Sequence, residues 1–247
     1  MAMPAENLAT ELAAVEELLS QKHPGLSIRA INNGAVVEGV VVLRSADMPF
    51  ESFLVRIDLD DIPPKQQPRV FEIGGRIPKQ DTHHVSSDGS LCVGVPEEIW
   101  LLLDGRFEIV RFIDDVVAPY LIGVACMLRG EAWPFGERSH GAAGICEFYG
   151  ERFGTKEPAH VLDIIEVLLA KAPKGHWPCP CGSGNVIRKC HHKELSELRA
   201  RRVPADILQR SANVVARALM AEVAGRIGEL ERIAGKMRRM LAGRAAA

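Results

Sequence analysis

Aromatic residues are scarce in this sequence: 3 Trp, 2 Tyr and 8 Phe make up 5% of 247 residues. Proteins that track single-stranded nucleic acid stack bases on such rings, and none are interleaved with the basic residues near the C-terminus. Long apolar runs are missing as well. No stretch approaches the roughly 18 residues needed to cross a bilayer, and the opening MAMPAENLATELAAVEELL carries acids where a secretory signal carries basic residues. These absences predict a soluble, cytoplasmic protein with no membrane partner. There is no internal repeat and no low-complexity tract beyond the last alanines. Evenly spaced cysteines are absent too: the six stand singly at 92, 126 and 146 and then bunch at 179, 181 and 190. That excludes a secreted disulfide scaffold and fits a reducing compartment.

What is present suffices for a packed core, since 47% of residues are hydrophobic. The net charge of −2 hides an asymmetry: residues 176–247 hold 14 Lys and Arg against 6 Asp and Glu, and residues 1–175 hold 16 against 26. The basic residues of the tail alternate with helix-spaced apolar ones, the pattern of a solvated helix face, so nucleic acid is not an expected partner.

Leu8, Leu12, Val15 and Leu19 recur at helical spacing, so residues 5–22 read as an amphipathic helix that His23-Pro24-Gly25 ends. Two segments rich in Val, Ile and Phe follow, AINNGAVVEGVVVLR and ESFLVRIDLDD. Asn32-Asn33-Gly34 between strands supplies the positive φ angles of a tight hairpin turn, and an antiparallel meander results. A fourth strand is predicted at Arg69–Ile73, introduced by Pro63, Pro64 and Pro68. Residues 74–106 show neither period and are crowded with Gly, Pro, Asp and Ser; so long an irregular stretch in a compact domain points to function. Phe107–Leu128 reads as a long helix lying across the sheet, with Val110, Ile113, Val117, Leu121 and Val124 on one face. Gly130–Gly154 reads as a loop with a short helix, Val161–Ala170 as another helix and Ala172–Pro178 as a linker. Pro204–Leu241 is a terminal helix about 55 Å long whose stripe of Leu219, Val223, Ile227, Leu230, Ile233, Met237 and Leu241 opposes an Arg-rich face. The fold class is α+β. The tail stripe predicts packing on another chain or on the front domain, and a homo-oligomer through 204–241.

Within the irregular segment, Asp88-Gly89-Ser90-Leu91-Cys92 is followed eight residues after the cysteine by Trp100. This segment resembles the active-site region of ubiquitin-conjugating enzymes, where a His-Pro-Asn tripeptide precedes an Asn/Asp-Gly-Ser-Ile/Leu-Cys run and a Trp follows the Cys by eight. The order of elements over roughly residues 5–150 is similar too. The resemblance implies a ubiquitin-conjugating-enzyme-like domain over 1–172, with Cys92 as the acyl-carrying thiol. Such a thiol accepts the C-terminal acyl group of a ubiquitin-like modifier from an activating-enzyme-like protein and gives it to an amine. Thr82, His83 and His84 stand where the family has His, Pro and Asn. His84 thus occupies the place of the Asn associated with oxyanion stabilisation or loop bracing, and a ring nitrogen can donate a hydrogen bond. Glu131, Glu137 and His140 lie where the family often places an acidic residue that orients the incoming lysine. Bacterial members with diverged tripeptides are the more similar ones, and they imply an operon setting, often antiphage defence, with a conjugated target protein such as a nucleotidyltransferase. Two other classes compete: a catalytically silent relative acting as a protein-binding adaptor, and a cysteine hydrolase using Cys92 and a histidine, for which no Cys/His/Asn frame is visible. Cys126, on the predicted helix, and Cys146, in an apolar stretch, read as inert core thiols.

Cys179-Pro180-Cys181-Gly182-Ser183-Gly184 and Lys189-Cys190-His191 put four soft ligands in thirteen residues, with glycines that let the backbone fold back. Such a set suits tetrahedral Zn²⁺; a metal-free redox role is disfavoured by the lack of a Cys-x-x-Cys pair. The cluster resembles the SEC-C motif of the SecA translocase C-terminus. That resemblance implies Cys179, Cys181, Cys190 and His191 as ligands, with His192 the alternative fourth. It also implies a structural site, with no open position for water, that serves as a protein-docking knob. The domains expected are therefore 1–172, a zinc knuckle at 173–203, and a helical tail at 204–247.

Overall fold

The computed structural model describes residues 5–32, 34–45, 48–60, 67–136 and 138–245, and within these no side chain at 5–8, 45, 48–49, 81, 235 or 237–245. Asn33 of the hairpin turn, Pro63, Pro64 and Glu137 lie outside the described residues, as do the side chains of Leu8, Met237 and Leu241.

The architecture is α+β. Helix α1 (Ala5–Lys22) leads into strands β1 (Leu26–Ile31), β2 (Gly34–Ser45), β3 (Met48–Leu59) and β4 (Arg69–Glu72). They form one antiparallel sheet in the order β1-β2-β3-β4, the meander the hairpin signals predict. Alternation explains its two faces: Phe53, Val55, Ile57 and Leu59 of β3 are buried, while Leu54 between them is exposed. Leu19 of α1 is fully buried against this layer, and Leu12 and Val15 are partly so.

The predicted helix over 107–128 is three pieces in sequence: α3 (Ile109–Phe112), a π-helical turn (Ile113–Val117) and α4 (Ala118–Leu128). One extra residue in the π turn rotates the helix, so the buried face includes Phe112, Val116, Tyr120 and Ala125 as well as Ile113, Val117, Leu121 and Val124. Val110 is only partly buried. These side chains share one core with the sheet residues Val37, Val41 and Val55.

Two helices escape the sequence periodicity. Helix α2 (Pro96–Leu102) has seven residues and sits inside the stretch that reads as irregular. It starts where Pro stands in the first turn with Glu97 and Glu98 beside it, a favourable N-terminus too short to show a period. Helix α7 (His192–Ala200), sequence HKELSELRA, offers only Leu195 and Leu198 to bury.

The chain divides into two compact units. The first comprises residues up to 140 together with 193–208 and holds the sheet; the second comprises 141–192 and 209 onward. In the second unit, α5 (Gly141–Phe153) and α6 (Pro158–Leu169) pack together. Phe148, Tyr149, Phe153, Val161, Ile164 and Ile165 are buried there. Helix α8 (Ala205–Ala245) runs for 41 residues. Among the described residues no helix is long and apolar enough to cross a membrane.

Candidate functional site

The segment around Cys92 is shaped by a turn that the sequence encodes residue by residue. The Asp88 carboxylate accepts hydrogen bonds from the Ser90 backbone N–H (3.0 Å) and hydroxyl (2.6 Å). Those two bonds hold the Asp88 carboxyl below its usual range. Gly89 takes φ +83°, a left-handed conformation that glycine adopts without penalty. The turn closes through Gly89 N–H to Ser86 C=O and Ser86 N–H to Ser90 C=O, both 2.8 Å. It delivers Ser90 and Leu91 onto the free edge of β4, where Leu91 N–H donates to Val70 C=O at 2.7 Å. Leu91 is buried and anchors the segment.

Cys92 comes next, half-buried, and its N–H donates to the carbonyl of His84 at 2.7 Å. The Val85–Leu91 bridge lies just inside that bond. The two residues singled out in the sequence are therefore held together by backbone pairing across the turn. Burial pushes the Cys92 thiol above its ordinary value, opposed by the Gly94 backbone N–H, which favours the thiolate.

His84 has φ +55°, unusual for a residue with a side chain, and its surroundings explain how that conformation is held. Tyr120 on α4 donates its hydroxyl to the His83 carbonyl at 2.8 Å, with the His84 carbonyl at 3.4 Å. Burial, with Cys92 and Glu72 nearby, pushes the Tyr120 phenol upward and keeps it a protonated donor. The His84 ring packs against those of Trp133 and His140, at centroid distances of 4.8 Å and 4.5 Å. Trp133 in turn lies on Gly123 of α4: a Cβ on that glycine would come within 2.5 Å of the indole. His83 faces the Thr82 hydroxyl through Nδ1 at 3.2 Å.

Of the two described residues considered for orienting an amine, His140 is the one brought to His84; Glu131 is exposed and paired with Arg129 at 3.0 Å. Trp100 donates its indole N–H to the carbonyl of Arg201, tying α2 to the residue that follows α7. Tyr120, Gly123 and Trp133 were not singled out by sequence. A glycine inside an otherwise apolar helix is the signal that points to them, since it marks close approach by something large. Cys146 is buried and its thiol pushed up by burial, whereas Cys126 is only half-buried and accepts a contact from Arg129 at 3.5 Å.

In the second unit, Cys179, Cys181, Cys190 and His191 bring their ligand atoms within 4.8 Å of one another, a group that can hold a metal ion. Cys181 and Cys190 sulfurs are 3.6 Å apart, and His191 Nδ1 lies 3.4 Å from the Cys179 sulfur and 3.3 Å from that of Cys190. A tetrahedral Zn²⁺ with bonds of about 2.0–2.3 Å has ligand-to-ligand edges of about 3.5–3.8 Å; these three separations are close to that, and the widest in the group, up to 4.8 Å, would have to close around an ion. His191, and not the exposed His192, completes the set. Burial pushes the Cys179 thiol up to about 11. Burial opposes the Cys181 thiolate too, but hydrogen bonds from the Ser183 hydroxyl and backbone and from Cys179 and Cys190 outweigh it and bring Cys181 down to about 6.

The backbone builds this cluster from a short bridge between Pro178 and Val186, with Cys179 N–H donating to Asn185 C=O at 2.7 Å. A single 3-10 turn, Ile187–Lys189, then returns Cys190 and His191 to the first two cysteines. Gly182 (φ +78°) faces the His160 ring, where a Cβ would stand 2.3 Å from the imidazole; Gly184 (φ +76°) faces nothing within 4 Å. Gly184→Ala should therefore cost about 1–2 kcal/mol for the left-handed backbone alone, and Gly182→Ala about 2–4 kcal/mol once the clash is added. Paired thermal unfolding curves check the order; equal losses would show that His160 yields freely.

Comparison with protein-family models, with curated proteins and with solved structures gives no match to this chain, so its function has to be read from the side chains themselves.

Proposed function

We propose that this chain carries the C-terminal acyl group of a ubiquitin-like protein as a thioester on Cys92 and transfers it to an amine, and that the Cys179, Cys181, Cys190 and His191 cluster holds a structural zinc ion. The observation that carries the first part is the bond from Cys92 N–H to the His84 carbonyl. It pairs the Cys92 backbone with the residue that stands in the place of the family's Asn, and the Trp133 and His140 rings pack against that residue's ring.

In loading, the Cys92 sulfur attacks the carbonyl of a thioester on an activating enzyme. A new C–S bond forms, the old one breaks, and the departing thiolate takes up the proton that Cys92 released. In transfer, an amine attacks the same carbonyl, a C–N bond forms, and the C–S bond breaks with the amine's proton passing to the Cys92 sulfur or to water. Between them a tetrahedral oxyanion develops, and the donor assigned to it in this reading is a ring nitrogen of His84. The raised thiol has a chemical use: a sulfur of higher pKa leaves less readily, so the loaded thioester persists until an amine is aligned.

Cys179, Cys181, Cys190 and His191 would supply all four ligands of a tetrahedral zinc ion, which would add folding energy and offer no position to water. The knuckle then serves as a rigid surface for docking another protein.

The test of loading uses the reduced full chain with an activating enzyme and the ubiquitin-like protein that this enzyme charges. A thiol-sensitive adduct should form in single turnover, and its rate should climb as pH rises from 6 through 9, because burial leaves the Cys92 thiolate a minority species over that range. The same protonated thiol favours the second reading, a silent relative that only binds a partner. Absence of an adduct at every pH would leave that adaptor role in its place.

A further inference from the structure

Beyond Ser211 and Val215, both buried, α8 leaves the body of packed residues. From Met220 to Ile233 its large apolar side chains are exposed: Met220 68%, Ile227 53% and Leu230 65%, with Val223 and Ile233 each 42%. A single helix in water with glycines at 225, 228 and 235 is marginal, since each costs about 1 kcal/mol relative to Ala and no tertiary packing compensates.

The spacing says what covers this face. Met220, Val223, Ile227, Leu230 and Ala234 follow one another at intervals of three, four, three and four, and the same phase continues to Met237 and Leu241 in the sequence. Taking Met220 as position a of a heptad puts Ile227 at a and Leu230 at d, the combination that favours two parallel strands. All three glycines fall at outer positions: Gly225 at f, Gly228 and Gly235 at b. A Cβ at Gly225 or Gly228 would meet nothing within 4 Å. In this phase Arg226 stands at g and Glu231 at the following e, the two positions that face each other across a parallel, in-register seam. Neither has an ion-pair partner among the described residues, whereas the neighbouring Arg232 and Glu229 pair within the helix at 3.8 Å. A second copy of the same helix supplies both partners at once, Arg226 to Glu231 and Glu231 to Arg226.

We propose that residues 216–241 of two copies of this chain form a parallel, in-register two-stranded coiled coil, making the protein a homodimer. The inference is independent of the chemistry at Cys92.

Light scattering on the full chain at about 100 μM, well above a micromolar Kd, should give the mass of a dimer, and I227D/L230D should give a monomer. The single charge reversals R226E and E231R replace two attractive contacts with two repulsive ones. Each should raise the dimer's Kd roughly ten-fold, and mixing the two variants should yield a heterodimer tighter than either homodimer. Because both sites are exposed, these variants test the interface without endangering the fold. Ala234→Cys should cross-link to its own counterpart under mild oxidation, as only parallel strands allow. A monomeric wild type, whether or not it pellets with anionic phospholipid vesicles, overturns the proposal. So does a dimer that survives I227D/L230D, or one that refuses the cross-link at 234.

Discussion

Replacing Cys179 and Cys181 together by Ser is expected to remove one zinc ion per chain and to unfold the turn from Pro178 to His191. Two of the four ligands would be gone, and little else holds that turn. Its backbone is tied by a single bridge, Pro178 to Val186, and by a few bonds such as Cys179 N–H to Asn185 C=O. Structural zinc in small modules is worth about 10–16 kcal/mol of apparent binding energy, far more than such a turn can supply. Elemental analysis of reduced protein should find one zinc in wild type and none in the double variant. Hydrogen exchange should show the Cys179 amide protected in the first and open in the second. A strong chelator should reproduce the variant's exchange pattern in wild type. Metal-free wild type purified under reducing conditions, with the Cys179 amide still protected, would show that the turn stands without an ion.

The second large effect concerns Cys92 and its neighbour. Cys92→Ala should form no reducible adduct at all, while His84→Ala should load normally and discharge to an amine about ten- to a thousand-fold more slowly, the range for removing one oxyanion donor. His84→Asn should recover part of the rate. Gly123→Val probes the same step from a distance: its side chain would occupy the space of the Trp133 indole and so displace a ring that packs against His84. Discharge should slow in this variant with loading unchanged. Adduct that forms and discharges at wild-type rate without His84 would remove that residue from the mechanism and leave Cys92 in place.

The sheet was legible because each of its causes is local. Alternating Val, Ile and Phe over two strands and a Gly-bearing turn produce a hairpin in any context that buries one face, and β1 to β4 follow as a meander. Helix α1 was legible for the same reason, with apolar residues at helical spacing and Pro24 after it. The Cys/His cluster was legible too, since thirteen residues hold all four side chains and chain closure over so short a loop costs little. Helices α2 and α7 were not, because seven and nine residues with few apolar positions carry no period to detect. The π turn at Ile113–Val117 escaped as well, since it changes which side chains face the core without changing their hydrophobicity.

By itself, then, the sequence determined the α+β class, the turn that presents Cys92 and the ligands of the cluster, all through interactions among residues near each other in the chain. Tertiary structure decided the surroundings of Cys92. His84 has its positive φ and its ring contacts where Tyr120 of α4, and Trp133 and His140 beyond it, converge on it from 36 to 56 residues away, with Gly123 making room for the Trp133 indole. No propensity or spacing encodes such a meeting. It exists because packing α4 over the sheet buries Tyr120 beside the His83 carbonyl, to which its hydroxyl donates, while the neighbouring His84 carbonyl takes the Cys92 N–H.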